Sequence, residues 1–261
     1  MFTPQWHGRP LTPARVLRAL QGRVRDRLQP INEVRGVYAT FAEAAAAAPR
    51  TKPTGYDAAN AGDWYSDKLT GVQLEDYPAL FWLERAFADA RSVFEIGGHV
   101  GVAYYGFSKL LRYPDGHRWT ILEVPSVVAA GRALAESRGA KDLHFTTDPS
   151  LIEGAEIVLA AGSLQYLERS LVDILSRWRI QPKHVVINIT PVYDGPAFVT
   201  VQNVGTVYCA YRIFNRQELI QRLDALGYTL VDSWSKPRVL RVPGHPERSF
   251  DRYSGFYFHK R

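Results

Sequence analysis

The chain has a single cysteine, Cys209, among its 261 residues. That excludes an intramolecular disulfide and a cysteine-rich metal site, and a reducing, cytoplasmic location is the default expectation. No apolar run approaches the roughly 18 residues that a membrane-spanning helix needs. The opening MFTPQWHGRPL has no basic segment followed by an apolar stretch, so no secretory signal is read there. The seven histidines are scattered, without an HxxxH pair or paired carboxylate spacing, so no metal site is expected. A G-x-S-x-G elbow is absent too, and no Ser-His-Asp ordering is recognisable.

What remains is an ordinary globular composition, 46% hydrophobic and 22% charged, enough for one large domain or one domain with an appended piece. The net charge of +6 is local: residues 1–35 hold seven arginines against Asp26 and Glu33, a net +5, leaving +1 for the rest. No nucleic-acid motif accompanies it, and no nucleic-acid partner is expected. Five of these arginines fall on a predicted helix over residues 12–28, with Thr12 as cap and Pro13 at the first helical position. Val16, Leu17, Leu20, Val24 and Leu28 share one face of it. Such a helix packs on its own body or on a second copy, giving a possible homodimer; attachment to an acidic membrane or a partner is the alternative reading.

Thr40-Phe-Ala-Glu43 before an alanine run reads as a capping box opening a second helix, stopped by Pro49. Residues 50–71 are polar and turn-rich, and residues 78–90 are helical again. Residues 1–90 are therefore expected to form a helical extension or lid, with aromatic side chains in its loops. From Ser92 the pattern alternates. Short apolar strands are predicted at 92–98, 119–123, 143–146, 156–161 and 184–189, with helices at 102–113, 125–138, 169–178 and 216–226. Two strands, 228–234 and 253–260, close the chain without an intervening helix and must pair antiparallel. The expected fold is α/β, with five parallel β-α units closed by an antiparallel hairpin over residues 91–261. This Rossmann-like sheet is the outline of the class I methyltransferases.

The most informative segment is Glu95-Ile-Gly97-Gly98-His99-Val-Gly101, which leaves a strand and opens a helix. Glycines there allow close backbone approach to a ligand, and the helix start offers free N–H groups. Dinucleotide spacing, G-x-G-x-x-G, fails when aligned on Gly97, because positions 99 and 102 are His and Val. The match is acidic-x-G-x-x-x-G. A carboxylate at Glu95 suits the cationic amino-acid end of S-adenosylmethionine and would repel a pyrophosphate. Glu123, ending the second strand, can accept hydrogen bonds from ribose hydroxyls. Asp148 could meet the adenine amino group, and Gly162-Ser163 lie where the methionine part belongs.

These residues resemble a class I S-adenosylmethionine-dependent methyltransferase, and more narrowly the TIGR04325 family of bacterial methyltransferases. The narrower resemblance rests on Gly36-Val-Tyr38-Ala-Thr-Phe41, Gly55-Tyr56-Asp57, the Glu95–Gly101 segment, Leu122-Glu123-Val-Pro125, Gly162-Ser-Leu-Gln165-Tyr166-Leu167, Val201-Gln202-Asn203 and Ser254-Gly255-Phe256-Tyr257-Phe258. It implies methyl transfer, often in a surface-polysaccharide or natural-product pathway; a small molecule or glycan is the expected acceptor.

His99 and Tyr166 are candidate bases. Tyr56, Tyr65, Gln165, Tyr193 and Asn203 are candidate acceptor contacts, with Asp57, Trp64, Asp194 and Gln202 beside them. Oxygen methylation leads the readings; carboxyl or nitrogen methylation, and a catalytically idle partner-binding module, are the alternatives.

Overall fold

The computed structural model describes residues 5–6, 9–10, 30–57, 69 and 71–261. The predicted arginine-rich helix, the homodimer contact assigned to it, Trp64 and Tyr65 all lie outside the described residues. Strands β1 (Gln5–Trp6) and β2 (Arg9–Pro10) pair antiparallel.

The capping box forms. Thr40 Oγ1 accepts the Glu43 N–H at 3.1 Å, and the Glu43 carboxylate accepts from the N–H groups of Ala39 and Thr40 at 2.9 and 3.3 Å. It starts α1 (Phe41–Ala47), which ends two residues before Pro49. A 3-10 turn at Leu74–Asp76 leads into α2 (Tyr77–Ala86), which buries Ala79, Leu83 and Ala86 at helical spacing. The expected helical extension is only partly so. Val34–Tyr38 is a strand, β3, and it pairs with residues 199–202, far beyond the expected boundary at residue 90.

The parallel units appear where the alternation placed them: β4 (Ser92–Ile96), β5 (Arg118–Leu122), β6 (Leu143–Thr146), β7 (Ile157–Ala161) and β8 (His184–Thr190). Helices α3 (Val102–Phe107), α4 (Pro125–Ser137), α5 (Leu171–Leu175) and α6 (Arg216–Ala225) connect and cover them. Asn215 caps α6, accepting the Glu218 N–H at 2.7 Å. Helix α3 is shorter than its apolar pattern suggests: the Ser108 and Tyr113 hydroxyls take the carbonyls of Tyr105 and Tyr104 at its end.

The closing hairpin is β12 (Tyr228–Leu240) and β13 (Phe250–Lys260), and the sheet order is β12-β13-β8-β7-β4-β5-β6. Val93, Ile121, Ile157 and Leu159 face one apolar layer; Phe94, Ile96, Val158, Val185 and Ile187 face the other. Burial on both faces gives these strands continuous apolar runs rather than alternation. Strand order reverses between β4 and β7, and ligands of an open α/β sheet bind outside the strand carboxyl ends at such a switch.

A second sheet was not anticipated. Inserted between β8 and α6 are β9 (Val192–Tyr193), β10 (Phe198–Asn203) and β11 (Tyr208–Asn215). With β3 they form a four-stranded sheet of order β3-β10-β11-β9. One side packs Val199, Val201 and Tyr208 against Ala44 of α1. Elsewhere Phe198, Tyr211 and Ile213 pack with Leu240, Val242 and Tyr253 of the hairpin. The hairpin runs on past the parallel strands to reach this sheet. Pro237 is tolerated in β12 because β12 is an edge strand.

Candidate active site

A cavity of about 650 Å³ opens at the strand switch, between the parallel sheet and the second sheet. Its floor is the glycine segment. Gly97 has φ +71°, in the region glycine favours, and a Cβ there would run into the Ser163 side chain. Ser163, after β7, donates its hydroxyl to the Ile96 carbonyl, so the β4 and β7 ends are tied side by side. At Gly98 a Cβ would strike the Glu95 carboxyl, so only glycine lets the backbone cross over that acid.

His99 holds a left-handed conformation, φ 54°, unusual for a residue with a side chain. Its N–H donates to Glu123 Oε1 at 3.0 Å, while the Val124 N–H donates to Oε2 at 3.0 Å. Thus Glu123 lies across the end of the glycine loop.

The acids on this side form a set. Glu95 is only 2% exposed and accepts the Trp119 indole N–H at 2.8 Å. Burial pushes its carboxyl up to about 8 against that bond, and the Glu123 and Asp76 carboxylates push the same way. Burial raises Glu123 as well, opposed by its two backbone N–H bonds. Asp76 is set by β8: the Asn188 amide donates to Asp76 Oδ1 at 3.0 Å and to the Glu75 carbonyl at 3.2 Å, and accepts from Trp234 Nε1 at 2.9 Å. Glu75, Asp76, Glu95 and Glu123 all line the cavity. No lysine or arginine occurs from Val93 to Phe107.

The opposite wall takes Gln202 and Tyr211 from the second sheet and Lys236, Arg238 and Tyr253 from the hairpin, joined by Tyr56 and by Gln165 and Tyr166 of the 3-10 turn after β7. Tyr166 donates to Gln202 Oε1 at 2.6 Å, and its ring lies 5.7 Å from that of Tyr56. The Tyr211 and Tyr253 hydroxyls are 2.7 Å apart. Gln165, 3% exposed, donates to the Gly162 carbonyl at 2.6 Å; its Oε1 has no hydrogen-bond partner among the described residues. Lys236 is ion-paired with Glu75.

Of the residues anticipated from sequence, Glu95, Gly97, Gly98, His99, Glu123, Gly162, Ser163, Tyr56, Gln165, Tyr166 and Gln202 line this one cavity. Gly101 does not; at φ +101° it starts α3, where a Cβ would meet Tyr105 and Leu143. Asp148 caps a 3-10 turn through the Ser150 N–H at 2.8 Å, and its neighbour Thr147 reaches the cavity instead. Tyr193 bonds the Pro196 carbonyl at 2.6 Å and packs with Phe198 and Phe250, away from the lining. Asn203 is buried as a strap, accepting from Lys52 Nζ at 2.8 Å and from the Gly205 N–H at 3.0 Å. Asp57 accepts the Ser126 N–H at 3.1 Å, which holds the Gly55–Asp57 turn over the start of α4.

Glu75, Asp76, Tyr211, Lys236, Arg238 and Tyr253 escaped sequence reasoning. A signal existed for Lys236 and Arg238, two basic residues two apart on one face of a strand, but Pro237 obscured the strand that carries them. Among the described residues no three His, Cys, Asp or Glu side chains are placed to hold a metal ion. Nor is any helix among them long and apolar enough to cross a membrane. Burial pushes the Cys209 thiol up to about 12, which leaves it inert as a nucleophile.

No protein-family model matches the chain, and no curated protein does. Solved structures with a similar chain trace include a 1,6-didemethyltoxoflavin-N1-methyltransferase of Burkholderia thailandensis, bound to 1,6-didemethyltoxoflavin and S-adenosylhomocysteine. It is 22% identical over 72% of this chain and 78% of its own, with a TM-score of 0.49. The magnesium protoporphyrin IX methyltransferase of Synechocystis, with S-adenosylhomocysteine bound, is 12% identical over 76% and 93%, also at 0.49. The CcbJ methyltransferase of Streptomyces caelestis is 16% identical over 79% and 97%, again at 0.49. At this level of likeness the functional reading rests on the chemistry of the site.

Proposed function

We propose that the protein is an S-adenosylmethionine-dependent methyltransferase that methylates an oxygen of a small molecule or sugar in a biosynthetic pathway. The observation that carries this reading is the acid set around a glycine floor. Glu95, Asp76 and Glu123 converge where a dinucleotide enzyme would have to receive a pyrophosphate. Anions are repelled there, whereas an ammonium and a sulfonium gain from every carboxylate.

The cradle suits such a ligand. Gly97 and Gly98 leave room against the backbone, Glu95 and Asp76 would face the methionyl ammonium, and Glu123 would accept from the ribose hydroxyls. Bound S-adenosylmethionine supplies an electrophilic methyl group on sulfur. The protein's task is to hold the acceptor oxygen in line with that methyl at short distance, and to keep water away. Gln165 and the tyrosine wall would orient the acceptor from the opposite side. Burial holds the Tyr211 hydroxyl far above its ordinary range and raises Tyr253, so neither takes a proton near neutrality. His99 is the one histidine among the lining residues, and it would accept the acceptor's proton.

Calorimetric titration with S-adenosylhomocysteine tests the reading. Micromolar binding is expected, weakened at least about tenfold by Glu123→Ala, with no heat from NAD. Silence with S-adenosylhomocysteine alongside clear NAD binding would overturn it.

A further inference from the structure

The acids of the cavity gather at the glycine floor, and its two long cations come from β12 on the other wall. They are not equivalent. Lys236 is neutralised by Glu75, whereas no carboxylate among the described residues lies within ion-pairing distance of Arg238. The Arg238 guanidinium sits 5.3 Å from the ring centroid of Tyr253, next to the paired Tyr211 and Tyr253 hydroxyls. A half-buried guanidinium with five donors, lining a cavity, is only partly satisfied by the ring and hydroxyl of the single residue Tyr253. It fits a bidentate anion, carboxylate or phosphate.

Resting on the methyltransferase reading, we propose that the acceptor is an anionic small molecule whose carboxylate or phosphate is held by Arg238. Tyr56 and Tyr166 would flank the acceptor's ring or chain, and Gln165 Oε1 would accept a hydrogen bond from it. The anion then lies on the wall facing the acids, so cofactor and acceptor are sorted by charge within one cavity. Specificity follows as well: a neutral analogue would leave Arg238 unpaired.

The test uses the full chain saturated with S-adenosylhomocysteine and four probes followed by calorimetry and ligand-observed NMR. The anionic probes are 4-hydroxybenzoate and phenyl phosphate; the neutral ones are 4-hydroxybenzamide and phenol. At least one anionic probe is expected to bind, more weakly as salt is added, and its identity separates a carboxylate acceptor from a phosphate one. Arg238→Met should weaken that probe about tenfold or more and leave the neutral probes unchanged. Arg238→Lys should be intermediate, and both variants should keep the parent's melting temperature and S-adenosylhomocysteine affinity.

Equal binding of neutral and anionic probes, binding indifferent to Arg238→Met, or no anion binding would each overturn the proposal. Loss of S-adenosylhomocysteine affinity in Arg238→Met would do so too, because Arg238 would then be holding the cofactor's own carboxylate. Failure of the methyltransferase reading is read separately, as absence of S-adenosylhomocysteine binding in the parent protein.

Discussion

The two sheets of this protein meet at one cavity but are built by different rules. The five parallel strands of the seven-stranded sheet, β4 to β8, are assembled from neighbours in sequence, and a hairpin closes the sheet. The four-stranded sheet is gathered from far apart: β3 comes from before residue 40 and β9 to β11 from beyond residue 190, and the hairpin crosses from the first sheet to pack against it. The first sheet brings the glycine floor with Glu95 and Glu123, while Glu75 and Asp76 come from the 3-10 turn before α2. The second, with the hairpin, brings Gln202, Tyr211, Tyr253 and the two cations. On the proposed function this contrast is a division of labour, in which the glycine floor would meet the cofactor and the tyrosine-lined wall the acceptor.

Substitutions that separate the halves can break this picture. The largest effect is expected at the floor. Gly98→Val would drive side-chain atoms into the Glu95 carboxyl, and S-adenosylhomocysteine affinity should fall about a hundredfold or more, a loss of roughly 3 kcal/mol. Tyr211→Phe on the acceptor wall should leave that affinity within about twofold, near the size of a lost surface contact. Calorimetry of both variants decides; a comparable loss in each would mean that the halves are not separate.

Next is Asn188, where the halves touch. Asn188→Ala frees Asp76 and the Trp234 indole together. Because buried polar partners are left unpaired, a stability loss of about 1–3 kcal/mol is expected in denaturant titration. Binding of both cofactor product and acceptor should weaken in the same variant.

A smaller and sharper effect concerns protons. The Glu95 carboxyl lies up at about 8 in the folded, ligand-free protein, above its ordinary value of 4.5. Its stabilising contribution is therefore complete below the ordinary value and is lost as pH rises through about 8. Glu95→Gln should flatten that decline, seen in melting temperatures across the range. An ammonium set against Glu95 favours the ionised form, so binding of S-adenosylhomocysteine through its ammonium should release a proton below about pH 8 and weaken as pH falls. In Glu95→Gln the release should vanish, as read from heats in buffers of different ionisation enthalpy.

The smallest expected effect lies outside the cavity. Thr40→Ala removes the capping box and should cost about 1 kcal/mol of stability without touching either ligand.

Legibility followed the same division. The parallel strands announced themselves because β4, β7 and β8 are short apolar runs set between helical patterns, and the acid within β4 and the glycines after it kept a recognisable spacing. Glu123 was found because it ends the next strand. The second sheet hid for physical reasons. Every residue of β10 is buried, so the polar–apolar alternation that marks a half-exposed strand is missing there. Its partner β3 is remote in sequence and stands directly before an alanine helix, which drew the whole region toward a helical reading. Asp148 and Asn203 show a different limit of the sequence pattern. Polar residues at plausible positions turned out to satisfy the backbone of their own turns. Arg238 was hidden by the proline beside it, which reads as a break unless the strand is known to be an edge.

The most direct test of the account is a crystal structure of the full chain with S-adenosylhomocysteine bound. The account predicts the methionyl ammonium against Glu95 and Asp76, the ribose hydroxyls on Glu123, and the sulfur facing the wall that carries Arg238. A product molecule lying with its ribose toward Arg238, or bound outside this cavity, would contradict it.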